Sequence, residues 1–352
     1  MKKIIAFKSD RLGDLMLFSP CLKIIKDNIK DAHITLVCSE FNYQIAKNYE
    51  YVDKFIIFKK NIIKFLLKNF KYFFLTKYKY LFQFDGKNSS YLISYFIKSK
   101  IKSTICFVKY KKIFKINYKV TRPPLLLLKL FFNTFVFCDE RYSISREGAN
   151  PIHYQTNYFN ILEKLNFKIT ARRNIFSLDK GFENTFKNFY SNFIKDKFYI
   201  FHFDEKWEKL KHCDYVNALK IIQKISFRNN KVIITTGIKN FTILNDLEKK
   251  FTVYKFDKNL ISLEKDNNTN KILLLKKIPL NLLGYFIKNS EKNISFHSGP
   301  IVHMSPAFNK DTIDIIPKSK NEELDRWIPL VSKYQRINFE ELNDAFIENF
   351  KF

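Results

Sequence analysis

The amino-acid sequence predicts an α/β protein made of two Rossmann-like domains that face a cleft. Strand-like apolar runs alternate with helix-like segments along most of the chain, a pattern typical of parallel sheets covered by helices. The alternation begins twice, once near residue 4 and again near residue 198. With 352 residues, 46% of them hydrophobic, the chain can build two ordinary cores, which argues against global disorder.

The first half of the chain shows a regular alternation as far as residue 108. Strands are predicted at 4–7, 33–38, 54–58, 80–84 and 101–108, and helices at 15–28, 41–48, 62–76 and 90–98. From 110 to 151 basic, aromatic and apolar residues interleave. This region fits a flap that faces an acceptor or a membrane, but an ordinary helix and loop packed on the first domain is the favoured interpretation.

A helix at 154–165 and an extended connection at 166–179 lead to the second half. We expect an amino-terminal domain at 1–165, a linker at 166–195 and a carboxyl-terminal domain at 196–352. In the second domain we predict strands at 198–203, 231–236, 271–275, 293–297 and 312–316, helices at 215–225, 240–250, 280–289 and 301–308, and a closing helix within 339–352.

The chain carries a formal net charge of +28, from 62 Lys and Arg against 34 Asp and Glu. Such a charge favours anionic partners, which include phosphates, nucleic acid and acidic membrane surfaces. The sequence is also rich in Lys, Asn, Ile, Phe and Tyr and has only 7 Gly, which indicates a compositional drift. Part of the basicity is then incidental, although the surface is positive in either case.

The five cysteines, at 21, 38, 106, 138 and 213, form no C-x-x-C motif, so we expect reduced thiols. Charged residues at 8, 10 and 11 interrupt the first apolar run, which does not fit a signal peptide. The most apolar stretch, 125–137, contains Lys129 and is shorter than the roughly 20 residues of a membrane span. We expect a cytoplasmic protein, with peripheral attachment to the inner face of the cytoplasmic membrane as an open alternative.

The polar loop after the first predicted strand holds the first candidate site. Gly13 would allow a sharp backbone turn, Asp14 would lie near the start of the next helix, and Arg11 could bind or orient an acidic group. Ligands of α/β proteins bind at this edge of the sheet, and a helix start favours anions. The same residues also fit a plain acidic helix cap beside a surface arginine, so the residues alone leave both interpretations open.

This stretch resembles a known family. Arg11-Leu12-Gly13-Asp14, followed by Ser19-Pro20, is similar to the R-x-G-D…(S/T)-P signature of glycosyltransferase family 9. That family contains the ADP-heptose:lipopolysaccharide heptosyltransferases. The segment 31–37, DAHITLV, resembles the second strand of the family.

A second match lies near the carboxyl end. His297-Ser298-Gly299-Pro300, with His303 three residues later, resembles the D-(S/T)-G-x-x-H segment of the family. A serine hydroxyl, a small glycine and a proline in the first helical turn suit a phosphate cradle. His297 stands where the family usually has Asp, which weakens any inference of a sugar-hydroxyl contact there. Without the resemblance, the segment would be interpreted as a turn before a helix.

The family also has a W-x-P element, which residues 327–329 fit, and a lysine near a tryptophan in the second domain. Lys206 is the nearest match to that lysine, with Lys209 and Lys211 as alternates. A compact ammonium group suits a donor phosphate. In so lysine-rich a chain, an ordinary surface lysine is an equally good interpretation.

Motifs for other chemistries are absent from the sequence. It has no P-loop, no dinucleotide-binding glycine motif, no H-E-x-x-H and no G-x-S-x-G. No D-x-D pair follows a strand, and His297 and His303 have no third ligand in view, so we expect neither a metal site nor a cofactor.

The resemblance implies a GT-B arrangement and an inverting, metal-independent glycosyltransferase. It implies a nucleotide-sugar donor, ADP-heptose in the family, and a lipid-linked or lipopolysaccharide-core acceptor. Asp14 would be the catalytic base, and Lys206 with the 298–300 turn would stabilise the departing diphosphate. One alternative is a non-catalytic member that binds glycan or membrane. The other, a nucleic-acid-binding protein, is disfavoured because no such motif is visible.

Overall fold

The computed structural model describes most of the chain. The described residues are 1–59, 61–113, 116–139, 153–179, 181, 183–184, 197–203, 215–227, 231–236, 249, 252–255, 260–264, 271–296 and 299–350. The chain divides into two compact units. Unit 1 comprises Met1–Ser177 and Asp325–Leu330, and unit 2 comprises Leu178–Leu324 and Val331–Phe352.

Unit 1 is built on a seven-stranded sheet. Its strands are β1 (Lys2–Lys8), β2 (Ala32–Ser39), β3 (Lys54–Phe58), β4 (Tyr78–Gln83), β5 (Ser99–Ile113), β6 (Ile116–Arg122) and β7 (Thr134–Asp139). The order is β3-β2-β1-β4-β5-β6, and β7 also pairs with β5. Every pair is parallel except β5 with β6. The strands β6 and β7 lie in the region where the sequence pattern was weak.

The helices of unit 1 follow the predicted alternation closely. They are α1 (Leu12–Asn28), α2 (Glu40–Ala46), α3 (Ile62–Lys68), α4 (Asn88–Phe96), α5 (Leu125–Phe131) and α6 (Tyr154–Lys164), with a π-helix at Lys71–Leu75. The single helix predicted at 62–76 is in fact two. Asn69 ends α3, because its side-chain amide donates to the carbonyl of Phe65 at 2.9 Å and competes with the helical backbone.

One face of the unit 1 sheet is covered by α3, the π-helix, α4 and α5, which we call the α3–α5 layer. Phe65 of α3, Phe73 of the π-helix, Tyr91 of α4 and Leu128 of α5 belong to one buried cluster with strand residues such as Phe7. Ring contacts join neighbouring helices of this layer, for example Phe65 with Phe73. The four helices therefore share one core and one side of the sheet.

The opposite face is covered by α1 and α6, with α2 beside α1. Phe18 of α1 and Tyr158 of α6 contact each other and both contact Phe84, just after β4. Because helices cover both faces, β1 is apolar without alternation, and residues 4–7 are fully buried. This explains why the run Ile4-Ile5-Ala6-Phe7 predicts a central strand.

Unit 2 contains an eight-stranded sheet. Its strands are β8 (Phe198–Phe203), β9 (Lys231–Thr236), β10 (Thr252–Lys255), β11 (Leu260–Glu264), β12 (Lys271–Leu275), β13 (Lys292–Phe296), β14 (Asp311–Ile316) and β15 (Lys333–Asn338). The order is β10-β11-β12-β9-β8-β13-β14-β15. The pairs within β10-β11-β12 are antiparallel and the others are parallel.

The described helices of unit 2 are α7 (Tyr215–Phe227), α8 (Leu280–Asn289), α9 (Pro300–Met304), α10 (Asn321–Asp325) and α11 (Asp344–Asn349). Three short 3-10 helices accompany them at Ser305–Phe308, Lys318–Lys320 and Phe339–Glu341. The helix predicted at 240–250 lies almost entirely outside the described residues. The predicted two-domain α/β class is confirmed by the two sheets with their largely parallel strands.

The carboxyl-terminal edge of the unit 2 sheet differs from the prediction. The strand at 312–316 was expected to be the last, but β15 follows it and pairs with β14 in parallel. Four of its six residues are polar, which made β15 inconspicuous, and it lies at the edge of the sheet with most of its residues at least partly exposed. Within the described parts of both units, none of the helices combines the length and the apolar character that crossing a membrane requires.

Candidate functional site

Asp14 lies in the first turn of α1, directly beyond the carboxyl end of β1. Helix α1 begins at Leu12, three residues earlier than predicted, so Gly13 is part of the helix and not of the loop. The backbone N–H of Arg11 donates to Asp14 Oδ2 at 3.3 Å, which satisfies one of the free donors at the helix start. Asp14 is 6% exposed, whereas Arg11 is exposed to solvent.

Lys8, the last residue of β1, places a buried positive charge beside this carboxylate. Its Nζ donates to Asp10 Oδ2 at 2.8 Å, to the carbonyl of Phe84 at 2.9 Å and to the hydroxyl of Tyr158 at 2.8 Å. Burial by itself would lower the pKa of Lys8, but the charges of Asp10, Tyr158 and Asp14 outweigh it and raise the pKa. Lys8 is therefore a permanent cation at the end of the central strand.

Asp10 is the second carboxyl group of the site. Its Oδ1 is buried without a hydrogen-bond partner among the described residues. Burial raises the pKa of Asp10 to about 7, with Lys8 opposing this shift and the carboxylates of Asp14 and Asp85 adding to it. Asp10 therefore gains and loses its proton near neutral pH, within the electrostatic reach of Asp14.

Asp85 follows β4 and is fully buried. Its Oδ2 accepts from the hydroxyl of Ser9 at 2.7 Å and from the hydroxyl of Ser90 at 2.9 Å, and its Oδ1 accepts from the N–H of Lys87 at 3.1 Å. These bonds hold the loop after β1 against the loop after β4. We call Lys8, Asp10, Asp14, Asp85 and Tyr158 the strand-end cluster.

The Ser19-Pro20 pair has a structural explanation. Pro20 lies inside α1 and has no N–H, so it cannot donate to the carbonyl of Met16. The hydroxyl of Ser19 donates to that carbonyl at 2.7 Å instead. The hydroxyl oxygen of Ser19 also accepts a hydrogen bond from the N–H of Ile175 at 2.8 Å, which fastens the extended connection after α6 onto α1. This pair shapes the unit that carries Asp14 without reaching the strand-end cluster.

The predicted donor site is only partly described. Gly299 is the residue before α9, and Pro300 occupies the first position of that helix. His303 lies on α9 and is partly buried. Lys206, His297 and Ser298, together with the alternates Lys209 and Lys211, lie outside the described residues. In unit 2 the structure therefore places Gly299, Pro300 and His303 just beyond the end of β13.

The W-x-P element belongs to unit 1. The ring of Trp327 stacks on Tyr154 at 3.8 Å between centroids, and the N–H of Tyr154 donates to the carbonyl of Arg326 at 3.0 Å. The buried amide of Gln155 accepts from the N–H of Leu330 at 3.0 Å. Segment 325–330 is thus bound to the start of α6, the helix that supplies Tyr158.

Other reactive side chains are few among the described residues. Cys21, Cys38, Cys106 and Cys138 are buried and form no disulfide among the described residues. His202, near the end of β8, contacts the hydroxyl of Thr235 at 2.9 Å, and burial lowers its pKa to about 4. No group of three His, Cys, Asp or Glu side chains in the described residues is arranged to hold a metal ion.

The structure adds four residues to the candidate site that sequence reasoning did not select, namely Lys8, Asp10, Asp85 and Tyr158. Lys8 and Asp10 flank Ser9 in the loop that drew attention to Asp14. Asp85 had a weaker signal, since it follows a predicted strand and precedes a glycine. Tyr158 had none, because only the packing of α6 brings it to β1.

The sequence matches no family model and no curated protein. Solved structures do match. The glycosyl transferase family 9 protein from Veillonella parvula DSM 2008 has a TM-score of 0.69 at 14% identity, covering 96% of this chain and 86% of its own. The E. coli ADP-heptose lps heptosyltransferase II has a TM-score of 0.64 at 12% identity, covering 99% of this chain and 96% of its own.

A third structure, E. coli heptosyltransferase WaaC with ADP, has a TM-score of 0.60 at 11% identity and covers 99% of this chain and 96% of its own. Likeness at this level of identity shows the fold. The chain has the fold of family 9 glycosyltransferases along nearly its whole length, which confirms the structural side of the resemblance in its motifs.

Proposed function

We propose that the protein is a glycosyltransferase of the heptosyltransferase type, which moves a sugar from a nucleotide sugar to a glycan acceptor. The observation that carries this proposal is the buried carboxylate of Asp14, which lies beside a buried lysine at the strand ends of unit 1. It occupies the R-x-G-D position of a chain that shares the fold of two heptosyltransferases. The fold supports the class of enzyme, and the motif supports Asp14 as its catalytic residue.

The proposed chemistry is a single displacement. Asp14 takes the proton of an acceptor hydroxyl while the hydroxyl oxygen attacks the anomeric carbon of the donor sugar. The bond from that carbon to the diphosphate breaks in the same step, and its electron pair leaves with the nucleoside diphosphate. One displacement inverts the anomeric configuration. The proposed reaction needs no metal ion, since basic side chains and backbone N–H groups balance the charge of the leaving group.

We assign the donor to unit 2. Lys206 and the turn at Ser298-Gly299-Pro300 would bind the diphosphate, with His297 and His303 beside it. Support comes from the resemblance at these positions and from the ADP named with the WaaC structure. A donor of the ADP-heptose type is therefore the first to test.

We assign the acceptor to unit 1, where Asp14 lies. A lipid-linked or lipopolysaccharide-core sugar fits a protein that works in the cytoplasm at the inner face of the membrane. The net charge of +28 supports an anionic membrane surface as a partner. Arg11, exposed beside Asp14, would orient an acidic group of the acceptor.

The experiment that tests the proposal has two steps. Calorimetric titration with ADP, UDP and GDP determines whether a nucleotide binds and which base is preferred. Incubation with ADP-heptose, with and without lipopolysaccharide-core acceptors, then measures the release of ADP. Binding of ADP with acceptor-dependent release supports the transferase. Nucleotide binding without turnover on any acceptor would indicate a non-catalytic glycan-binding protein, and no nucleotide binding at millimolar concentration would overturn the proposal.

A further inference from the structure

The outward side of the α3–α5 layer is strongly apolar. Nine of the fifteen large hydrophobic residues that are exposed in the described structure lie on these helices or at their ends. They are Ile63, Leu67, Phe70, Leu75, Leu92, Phe96, Leu125, Leu126 and Leu130, with exposed fractions between 42% and 77%. Isolated exposed apolar residues are common, but a concentration on one layer marks an interaction surface.

The same layer is positively charged. The segments 61–77, 88–98 and 124–133 contain six lysines and no Asp or Glu, although the chain as a whole has 34 acidic residues. All six lysines are exposed, and they are Lys64, Lys68, Lys71, Lys77, Lys98 and Lys129. The layer therefore combines apolar side chains with ammonium groups of a single sign.

The other face of unit 1 provides an internal comparison. Its helices α1, α2 and α6 carry several acidic residues, including Asp27, Glu40 and Glu163. Among the described residues of these helices, Phe41 is the one exposed large hydrophobic side chain. A compositional drift acts on the whole chain, so it does not explain why only one face is apolar and free of acidic residues.

A basic groove adjoins the layer. It has a volume of about 780 Å³ and lies at the amino ends of β1 and β4, next to the π-helix. Six lysines line it, which are Lys2, Lys3, Lys71, Lys77, Lys79 and Lys100. Lys71 and Leu75 of the π-helix line the groove, as does Lys77 just after that helix, so the two surfaces are continuous.

We propose that the α3–α5 layer and the adjoining lysine groove bind the surface of an anionic lipid bilayer. The apolar side chains enter the boundary between headgroups and acyl chains, and the lysines contact lipid phosphates. A protein partner fits less well, since lysine is depleted at the centres of protein interfaces. The described helices do not cross a membrane, so the attachment is interfacial.

Vesicle sedimentation tests this surface without donor or acceptor, so the result does not depend on transferase activity. Vesicles of phosphatidylcholine with phosphatidylglycerol are compared with phosphatidylcholine alone. The variant Leu126→Gln/Leu130→Gln is expected to bind the anionic vesicles at least tenfold more weakly than wild type. The matched control Phe41→Gln/Val216→Gln removes exposed apolar side chains elsewhere and should bind within twofold of wild type.

The lysines are tested in the same way. Each lysine near an anionic surface strengthens binding on the order of fivefold, so Lys64→Gln/Lys68→Gln/Lys129→Gln should bind at least tenfold more weakly. Lys47→Gln/Lys168→Gln/Lys318→Gln removes the same charge from exposed positions elsewhere and should have a smaller effect. Equal losses in the two triple variants, or equal wild-type binding to both kinds of vesicle, would overturn the proposal.

A fluorescent reporter locates the surface directly. The emission of Leu126→Trp should shift to the blue on anionic vesicles and be quenched by brominated lipids, whereas Phe41→Trp should show neither effect.

Sedimentation velocity provides the remaining test. If wild type is a dimer that Leu126→Gln/Leu130→Gln converts to a monomer, and neither protein binds vesicles, a second copy of the chain covers this face and the bilayer is excluded.

Discussion

Lys8 Nζ donates a hydrogen bond of 2.8 Å to the hydroxyl of Tyr158, a residue 150 positions further along the chain. The bond joins the end of β1 to α6. It gives the buried ammonium a third partner besides Asp10 and the carbonyl of Phe84. A buried cation requires such partners, because its desolvation is costly without them. Tyr158 is therefore part of what allows a lysine to remain charged beside Asp14.

Tyr158→Phe removes this hydroxyl while keeping the ring that packs between Phe18 and Phe84. We expect a loss of stability of about 1.5–3 kcal/mol, because the bond involves a charged group in a buried site. Urea unfolding measures the change. Tyr43→Phe, which alters a half-buried tyrosine on α2, should change stability by less than about 0.5 kcal/mol. Equal effects would show that the Lys8 contact adds no stability.

Asp14→Asn should abolish sugar transfer while leaving the binding of ADP nearly unchanged. The amide is similar in size and can still accept the hydrogen bond from Arg11, but it cannot take a proton from an acceptor hydroxyl. General-base catalysis typically contributes about 10²–10⁴-fold in rate. A coupled assay for ADP release and a calorimetric titration provide the two readouts. A transfer rate within a few-fold of wild type would remove Asp14 as the base.

Gly299→Val is expected to show the reverse behaviour. A branched side chain at the residue before α9 would obstruct the backbone approach that a diphosphate needs, and the dissociation constant for ADP should rise at least tenfold. Acceptor binding should change little.

Lys206→Ala should weaken ADP binding as well, by about 1.5–3 kcal/mol for a charge-assisted contact. Unchanged ADP affinity in both Gly299→Val and Lys206→Ala would show that the donor site lies elsewhere.

The raised pKa of Asp10 gives unit 1 a distinctive pH dependence. A carboxyl group that binds its proton more tightly in the folded state lowers the stability as the pH rises from about 4 to about 7. In Asp10→Asn this dependence is absent, so the stability of the variant relative to wild type should increase between pH 4 and 7, by up to a few kcal/mol.

Thermal unfolding in steps of half a pH unit measures this difference. Asp31→Asn is the matched control, since Asp31 is exposed and its backbone φ of 58° suits asparagine equally well. If the stability curves of wild type and Asp10→Asn run parallel from pH 4 to 8, folding does not raise the pKa of Asp10.

His202 in unit 2 should act with the opposite sign. Burial lowers its pKa to about 4, so the folded state keeps the ring neutral while the unfolded chain binds a proton below about 6.5. Stability is then lost as the pH falls from 6.5 to 4, by roughly 3 kcal/mol in total. His202→Gln should remove this loss, and His33→Gln on β2 serves as the control. Unchanged acid sensitivity in His202→Gln would contradict the assignment.

The order of strands and helices could be predicted because burial on both faces of a parallel sheet produces unbroken apolar runs. Strands β3, β8, β9 and β12 begin and end where the sequence indicated. The strands that were missed in unit 2 share a physical cause. Strands β10, β11 and β15 lie toward the two edges of their sheet, where one face is more polar and apolar runs are shorter.

Only part of the candidate site could be predicted from the sequence. Asp14 could be found because it lies within a local motif beside a strand end. Lys8 was not selected as a site residue, since nothing in its neighbours shows that it is 1% exposed. Tyr158 and Asp85 reach the site through tertiary packing, and contacts between residues far apart in sequence have no signature in one sequence.

Segment 325–330 belongs to unit 1, although the residues on both sides of it belong to unit 2. This arrangement affects how unit 1 is completed during biosynthesis. On the ribosome the first 177 residues emerge early. Segment 325–330, which stacks Trp327 on Tyr154 and binds Gln155, emerges only after most of unit 2. Unit 1 is therefore incomplete in the nascent chain until translation passes residue 330. A chain stopped before that point would leave the buried start of α6 uncovered, where it would be open to proteases and chaperones.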